Sequence, residues 1–510
     1  MKKGFLLLLL CLLGRIHSEA QPLFGLDPTF ANNGIYAGDT GSCAKIAIQQ
    51  DGKIVILGGE RKNGEWTTAM RFNSDGSIDN NFADNGYFQS SLFQKPLIRG
   101  LTSICLQPDG KILLSGSTDT GATTYDFLLM RLKQDGTLDS GFGGGGYVMT
   151  AYIHPWGMGA REYIFSTALQ SDGKIVAYGY SDFLADTLHI VRYYSDGEID
   201  SSFGNNGRVK LAEGFEYPTP NDIAIMPDGK IVLGAKARIS ALNPPWGAYA
   251  FTAIRLLSNG SLDTSFNHTG IAYTNTNLGW LLYCTSMRLQ ADGKILLAGH
   301  GDSIAVVRFD ASGNQDNSFG KNGLVKLDPA GRTKEIQVQP DGKIVLGGDI
   351  GDTCIVIYRI LSDGTLDSSF GVNGKVTTKI LNATNRLGGI VLQQDGRIVG
   401  GGGYYNGNTT SKLLLLRYTP NATFVYTNDL QEKITLYPNP TVDYLYIDNA
   451  TTQRLSTIML YSTDGKLLRT QTYPNTNRLS TDGLADGIYY LHIRFTNHTT
   501  LVKKIIIQKH

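Results

Sequence analysis

Apolar and polar residues alternate along this chain in short runs, and the runs recur. Lys45-Ile46-Ala47-Ile48-Gln49 alternates into Asp51-Gly52, and Ile54-Val55-Ile56-Leu57 follows. Alternation with period two predicts a half-buried strand, and a continuous apolar run of four predicts a strand covered on both faces. Asp-Gly between them predicts a hairpin, because a type I′ turn needs positive φ at both central residues. A third strand carries an arginine, as in Leu128-Leu129-Met130-Arg131-Leu132, and a glycine-rich connection leads to a fourth, such as Arg208-Val209-Lys210-Leu211.

This four-strand pattern is a tandem repeat. DGKI, or DGRI once, begins at Asp51, Asp109, Asp172, Asp228, Asp292, Asp341 and Asp395, at intervals of 49 to 64 residues. The motif R-x-x-x-[DNS]-G-x-[LI]-D-x-x-F follows the first six, with Gln315 replacing Leu or Ile once. Arginine and aspartate stand eight residues apart each time: Arg71/Asp79, Arg131/Asp139, Arg192/Asp200, Arg255/Asp263, Arg308/Asp316 and Arg359/Asp367. We expect each pair to form a salt bridge tying the third strand to the connection after it. Four antiparallel strands in 50–60 residues predict a propeller blade, which is stable only against neighbouring blades.

The ends of the array predict a closed ring. The seventh unit reaches Arg417, but no LDxxF follows it; Leu26-Asp27-Pro28-Thr29-Phe30 supplies that piece near the other terminus. Residues 22–38 are therefore expected to complete the last of seven blades within 21–419, with Arg417 pairing Asp27. DGKIV, the arginine and LD-x-x-FG-x-x-G resemble the delta-60 repeat, a bacterial β-propeller unit, over about residues 22–419. That resemblance implies the fold and no active site.

After a linker at 420–427 the composition changes, and residues 428–510 read as a small β-sandwich, immunoglobulin-like in class. Tyr437-Pro438-Asn439-Pro440, a central Asp464-Gly465-Lys466, the strand from Gly487 through Tyr489, and the ending around Lys503-Lys504 occur in that order. These motifs resemble the type A sorting domain of the type IX secretion system. The resemblance implies the secretion machinery as a partner, passage through the periplasm, and a secreted or outer-surface destination. Lys2 and Lys3, the apolar run from Phe5 to Leu13, and Ser18-Glu19-Ala20 fit a signal peptide over 1–20. Cys11 raises a lipoprotein reading, against which Leu10 stands where a small residue is required.

Composition narrows the function. Net charge is +1, so nothing points to nucleic acid, and no later segment is long and apolar enough to span a membrane. Cys43, Cys105, Cys284 and Cys354 have no metal spacing and read as small buried residues, with a single bridge as the alternative. DGK turns and arginine-to-phenylalanine segments keep their length, while the other connections vary, so one face of the ring is uniform and the other irregular. Binding groups concentrate on variable loops. Trp66, Trp156, Trp246 and Trp280 all lie there. Each either forms part of an aromatic recognition surface or covers its own blade end. No catalytic motif is present. No metal or cofactor is expected; Asp79-Asn80-Asn81 invites a calcium reading but lacks the full D-x-[DN]-x-[DN]-G order. First-strand positions read as mainly apolar, small or polar-neutral, so no acid–base pair is placed. The sequence therefore favours a binding or adhesion protein for a glycan or surface protein, with a carbohydrate lyase or hydrolase as the alternative.

Overall fold

The computed structural model describes residues 24–62, 65–66, 68–90, 101–121, 124–151, 161–181, 187–211, 216–239, 248–274, 282–328, 331–351, 353–380, 383–405, 407, 411–419, 434–450, 454–462, 467–472, 478–495 and 500–509. No helix occurs among them. Residues 1–20 and the linker at 420–427 lie outside the described residues.

Seven four-stranded antiparallel blades form the larger unit. Blade 3 is representative: Glu162–Leu169, Ile175–Ser181, Thr187–Tyr193 and Arg208–Leu211 pair in sequence order. The middle strands are buried throughout, as in Thr187–Tyr193, because both faces of a blade are covered by its neighbours. The apolar cores accordingly lie between blades. Seven clusters fill the seven gaps, from Val55, Phe82 and Leu114 between blades 1 and 2 to Phe30, Ile56 and Leu415 between blades 7 and 1.

The ring closes through one long strand, Ile35–Ile48. Its first part pairs with Lys412–Thr419 as the outer strand of blade 7, matching Ile35 to Leu416 and Ala37 to Leu414. After a register shift its second part pairs with Ile54–Lys62 as the inner strand of blade 1, matching Gly41 to Glu60 and Ile48 to Ile54. Gly25–Leu26 adds a further pairing to Thr419 and Tyr418. An inner strand belonging to one blade is thereby covalently the outer strand of the previous one.

The smaller unit has two antiparallel sheets. Ile434–Tyr437, Tyr444–Asn449 and Arg478–Ser480 form one; Leu455–Ser462, Leu467–Thr472, Gly487–Phe495 and Thr500–Ile507 form the other. Ile434, Leu445, Ile458, Leu491, Phe495 and Ile505 from both sheets share its core.

Candidate functional site

The inner strand of every blade is bent at the same place. Its pairing with the second strand slips at Cys43/Lys45, Leu101/Ser103, Ile164/Ser166, Pro220/Asp222, Cys284/Ser286, Thr333/Glu335 and Leu387/Gly389. A bulge adds one residue and re-aims the side chains beyond it. The residue immediately after the bulge always stands six before the DGK aspartate, which gives the ring Lys45, Ser103, Ser166, Asp222, Ser286, Glu335 and Gly389.

This ring is hydrogen-bonded around the axis. Ser166 Oγ donates to Asp222 Oδ1 (2.9 Å), and Asp222 Oδ2 accepts from Arg288 Nη1 (2.8 Å). Arg288, two residues further along blade 5, also donates through Nη2 to Glu335 Oε1. Glu335 Oε2 in turn accepts from Lys45 Nζ at 3.3 Å. Blade 7 lies between those last two partners, and its ring position is Gly389, so no side chain separates them. Glu335 holds the Lys45 ammonium above its ordinary pKa. Burial alone would lower the Arg288 guanidinium, but Glu335 and Asp222 outweigh it and hold it above its usual range.

A cavity of about 410 Å³ adjoins the ring. Its walls are residues three to six positions before the DGK aspartates, including Lys45, Ser103, Ser166, Thr167, Arg288 and Gln337, so it occupies the half of the channel nearer the uniform face. That size is within the range of small-molecule sites, ~300–1,000 Å³. The inner strands thus differ from the sequence expectation of apolar, small or neutral positions: two carboxylates and two cations share one cavity. Aligning the seven repeats on the DGK aspartate and reading six positions back would have revealed Lys45, Asp222 and Glu335. Arg288, at a different level, is found only through the geometry.

The recurring arginines hold the scaffold. Arg71, Arg131, Arg192 and Arg255 donate through Nε to Asp79, Asp139, Asp200 and Asp263 at 2.7 Å, and Arg308 and Arg359 to Asp316 and Asp367 at 2.8 Å. Arg417 and Asp27 meet at 2.9 Å. Each guanidinium also lies over the phenylalanine three residues beyond its aspartate, 4.4–4.7 Å from the ring centre. Arg71, Arg192, Arg255 and Arg308 extend Nη1 to a carbonyl of the following blade at 2.5–2.7 Å, and Arg131 and Arg417 do likewise. The motif therefore staples blade to blade, which a reading of one repeat could not show. The DGK lysine adds a second cation to the same carboxylate, as Lys53 does to Asp79 at 2.9 Å.

Trp156, Trp246 and Trp280 lie outside the described residues; the backbone of Trp66 pairs with Arg61 at the irregular face. Aromatic groups described on that face include Tyr163 stacked on Tyr180 and Tyr283 stacked on His300. Among the described residues no three His, Cys, Asp or Glu side chains are grouped to hold a metal. Asp79 spends its carboxylate on Arg71, Lys53 and the amide of Asn81. Cys43, Cys105, Cys284 and Cys354 are free thiols, and of the four expected to be buried only Cys43 is; the other three are half-buried. Burial pushes Cys43 up to about 12, and Lys45 opposes this.

In the smaller unit, Asn439 bridges the YPNP segment to the final strand: its Nδ2 donates to Lys504 O (3.2 Å) and its Oδ1 accepts from Ile506 N (2.8 Å). Tyr437 is exposed and stacks on Tyr446, whereas Tyr489 is buried and donates to Ala485 O (2.7 Å). Gly487 pairs with Ile507 at the sheet end, and Lys503 and Lys504 lie on the final strand opposite Leu491 and Tyr490.

Family comparison agrees with both halves. Residues 49–82, 107–142, 170–203, 227–266, 290–319, 339–370 and 393–424 match a β-propeller domain of unknown function, DUF5122, and residues 435–508 match a secretion system C-terminal sorting domain. The chain is a DUF5122-type β-propeller protein with a type IX sorting tail. That tail marks it for export to the cell surface or extracellular space. No helix among the described residues is long and apolar enough to cross a membrane.

No curated protein matches this propeller chain. Among solved structures it is similar to Drosophila Semaphorin 2a, at 10% identity and TM-score 0.46 over 96% of this chain and 100% of that one. It is also similar to a PL25 polysaccharide lyase, ulvanlyase, at 11% identity and TM-score 0.43 over 77% and 96%. A third likeness is the extracellular domain of a hybrid two-component system from B. thetaiotaomicron, at 12% identity and TM-score 0.32 over 94% of this chain; the chain spans 62% of that one. At these TM-scores none carries a functional argument.

Proposed function

We propose that this is a secreted or cell-surface binding protein, exported through the periplasm, whose propeller takes a polyhydroxylated ligand such as a glycan in its axial cavity. The observation that carries the reading is the concentration of hydroxyl, amide and charged groups on one cavity wall of a propeller whose other repeated polar groups are spent on its own scaffold. Hydroxyls from Ser103, Ser166 and Thr167 and the amide of Gln337 line this wall. Ser166 donates to Asp222 and Gln337 Nε2 to Ile390 O, so they offer a polyol chiefly acceptors, beside the donors of Lys45. Glycan-array binding by the purified protein tests this reading; the array signal should fall when Ser166→Leu and Thr167→Leu narrow the cavity. An array without a bound glycan, or binding indifferent to those substitutions, counts against it.

A second reading, hydrolase or lyase, draws on the two carboxylates Asp222 and Glu335 in one cavity. Both are ion-paired to the same guanidinium, so each carboxylate is already engaged within the cavity wall. The binding reading expects no new reducing or unsaturated ends when glycans that bind are incubated with the protein.

A further inference from the structure

We infer that the axial cavity selects saccharides bearing an oxyanion, a carboxylate or a sulfate, through Lys45 and Arg288. The inference rests on the binding reading above and adds the charge of the ligand. Four charged side chains share the cavity, two of each sign, so the sum decides nothing; their layering does. The Lys45 and Arg288 side chains keep 34% and 28% of their surface, while those of Asp222 and Glu335 keep 17% and 7%. The two cations are thus the more accessible of the four charged side chains, and the two carboxylates the more buried.

The buried acids also fix the cations in place. Arg288 is gripped by Asp222, by Glu335 and by its neighbour's carbonyl, Met287 O at 2.6 Å. Its position is set before a ligand arrives, which lowers the cost of ordering on binding. Lys45 carries three N–H donors. Its hydrogen bond among the described residues is to Glu335 Oε2, which leaves donors for a ligand. Gly389 contributes no side chain between these partners; a Cβ there would already stand 3.4 Å from Glu335 Oε2. Asp222 and Glu335 are the acidic residues of the cavity wall. Opposite the cations, blades 2 and 3 present Ser103, Ser166 and Thr167, suited to the hydroxyls of a sugar ring rather than to a bare inorganic ion.

Calorimetric titration of the purified protein with size-matched neutral, uronate and sulfated oligosaccharides tests the inference and separates its two anion sources. The expected result is binding of the uronate series, the sulfated series or both, at least tenfold tighter than the neutral series and weakened by salt. Lys45→Gln should weaken anion binding by about tenfold, the scale of one charge-assisted hydrogen bond. Glu335→Gln should act in the opposite sense, tightening it severalfold, because it removes a negative charge from the cavity while Asp222 still holds Arg288 in place, with the melting temperature showing that each variant folds. Equal affinity for neutral and anionic series, or a Lys45→Gln protein with unchanged affinity, overturns the anion preference and leaves the polyol reading standing. Absence of binding to all three series overturns both.

Discussion

At the scale of single residues, this protein repeats one device seven times and then breaks symmetry in one place. The device is an arginine locked between its own aspartate and a phenylalanine face and, in six of the seven copies among the described residues, bonded to the next blade's backbone. Asp200 is fully buried between Arg192 and the more distant Lys174. Replacing Arg192 by Met should therefore destabilise the propeller by ~3 kcal/mol, the scale of breaking a buried ion pair. Denaturant unfolding followed by tryptophan fluorescence reads this directly, since all four tryptophans precede residue 420. The aspartates also set acid stability. Burial alone would raise them, but the hydroxyl and amide two residues on, with the arginine, pull Asp200, Asp263 and Asp316 down to about 2. A carboxyl depressed in the folded state contributes fully above its unfolded pKa, ~3.9. The propeller should thus hold its full stability above about pH 4 and lose it progressively as pH falls towards 2. Unfolding centred near neutral pH would contradict this.

The symmetry break is visible only once strands are laid side by side. Sequence alone placed the hairpins but not their type. In each repeat's Asp-Gly only the glycine, such as Gly52, has positive φ, so the turn is a type I turn closed by a left-handed glycine rather than the expected type I′. Sequence supplied strand number and the Arg–Asp spacing because these are local and repeat at constant length. It did not supply the axial cluster, because Lys45, Asp222, Arg288 and Glu335 are scattered over about 290 residues in strands that otherwise read as apolar. A bulge shifts their register, and a period-two reading that ignores it assigns the faces wrongly. The irregular-face tryptophans show the opposite limit, since sequence places them on variable loops without saying what they touch. At the scale of the element, adjacent glycines in the inner strand of blade 7 should behave differently. A Cβ on Gly388 would overlap the Cys43 carbonyl across the seam, whereas one on Gly389 meets side-chain atoms at ordinary contact distance. Gly388→Ala should lower the melting temperature by several degrees and Gly389→Ala should leave it nearly unchanged. Equal effects would refute the tight seam between blades 7 and 1.

For the whole molecule, the sorting tail and the ring serve separate ends. The tail has its own two-sheet core, with Ile458 and Leu491 fully buried. Deleting residues 428–510 should leave a folded propeller that no longer reaches the outside of the cell; cell fractionation reads the outcome, and undiminished export would refute the tail's role. The ring depends instead on contacts between residues far apart in sequence. Its seventh core joins Phe30 and Ile54 to Leu413 and Leu415, and its last blade borrows an outer strand from the opposite end of the repeat array. Stability of the first and last blades is therefore shared, unlike that of an open stack.

A double-mutant cycle on Asp27 and Arg417 addresses that closure most directly. The two residues are 390 positions apart in sequence and 2.9 Å apart in space. With unfolding followed by tryptophan fluorescence, Asp27→Asn and Arg417→Gln together should cost less than the sum of the single changes, with a coupling of ~1–3 kcal/mol. Additive effects within ~0.5 kcal/mol, the behaviour of independent sites, would mean that the two ends of the array do not meet.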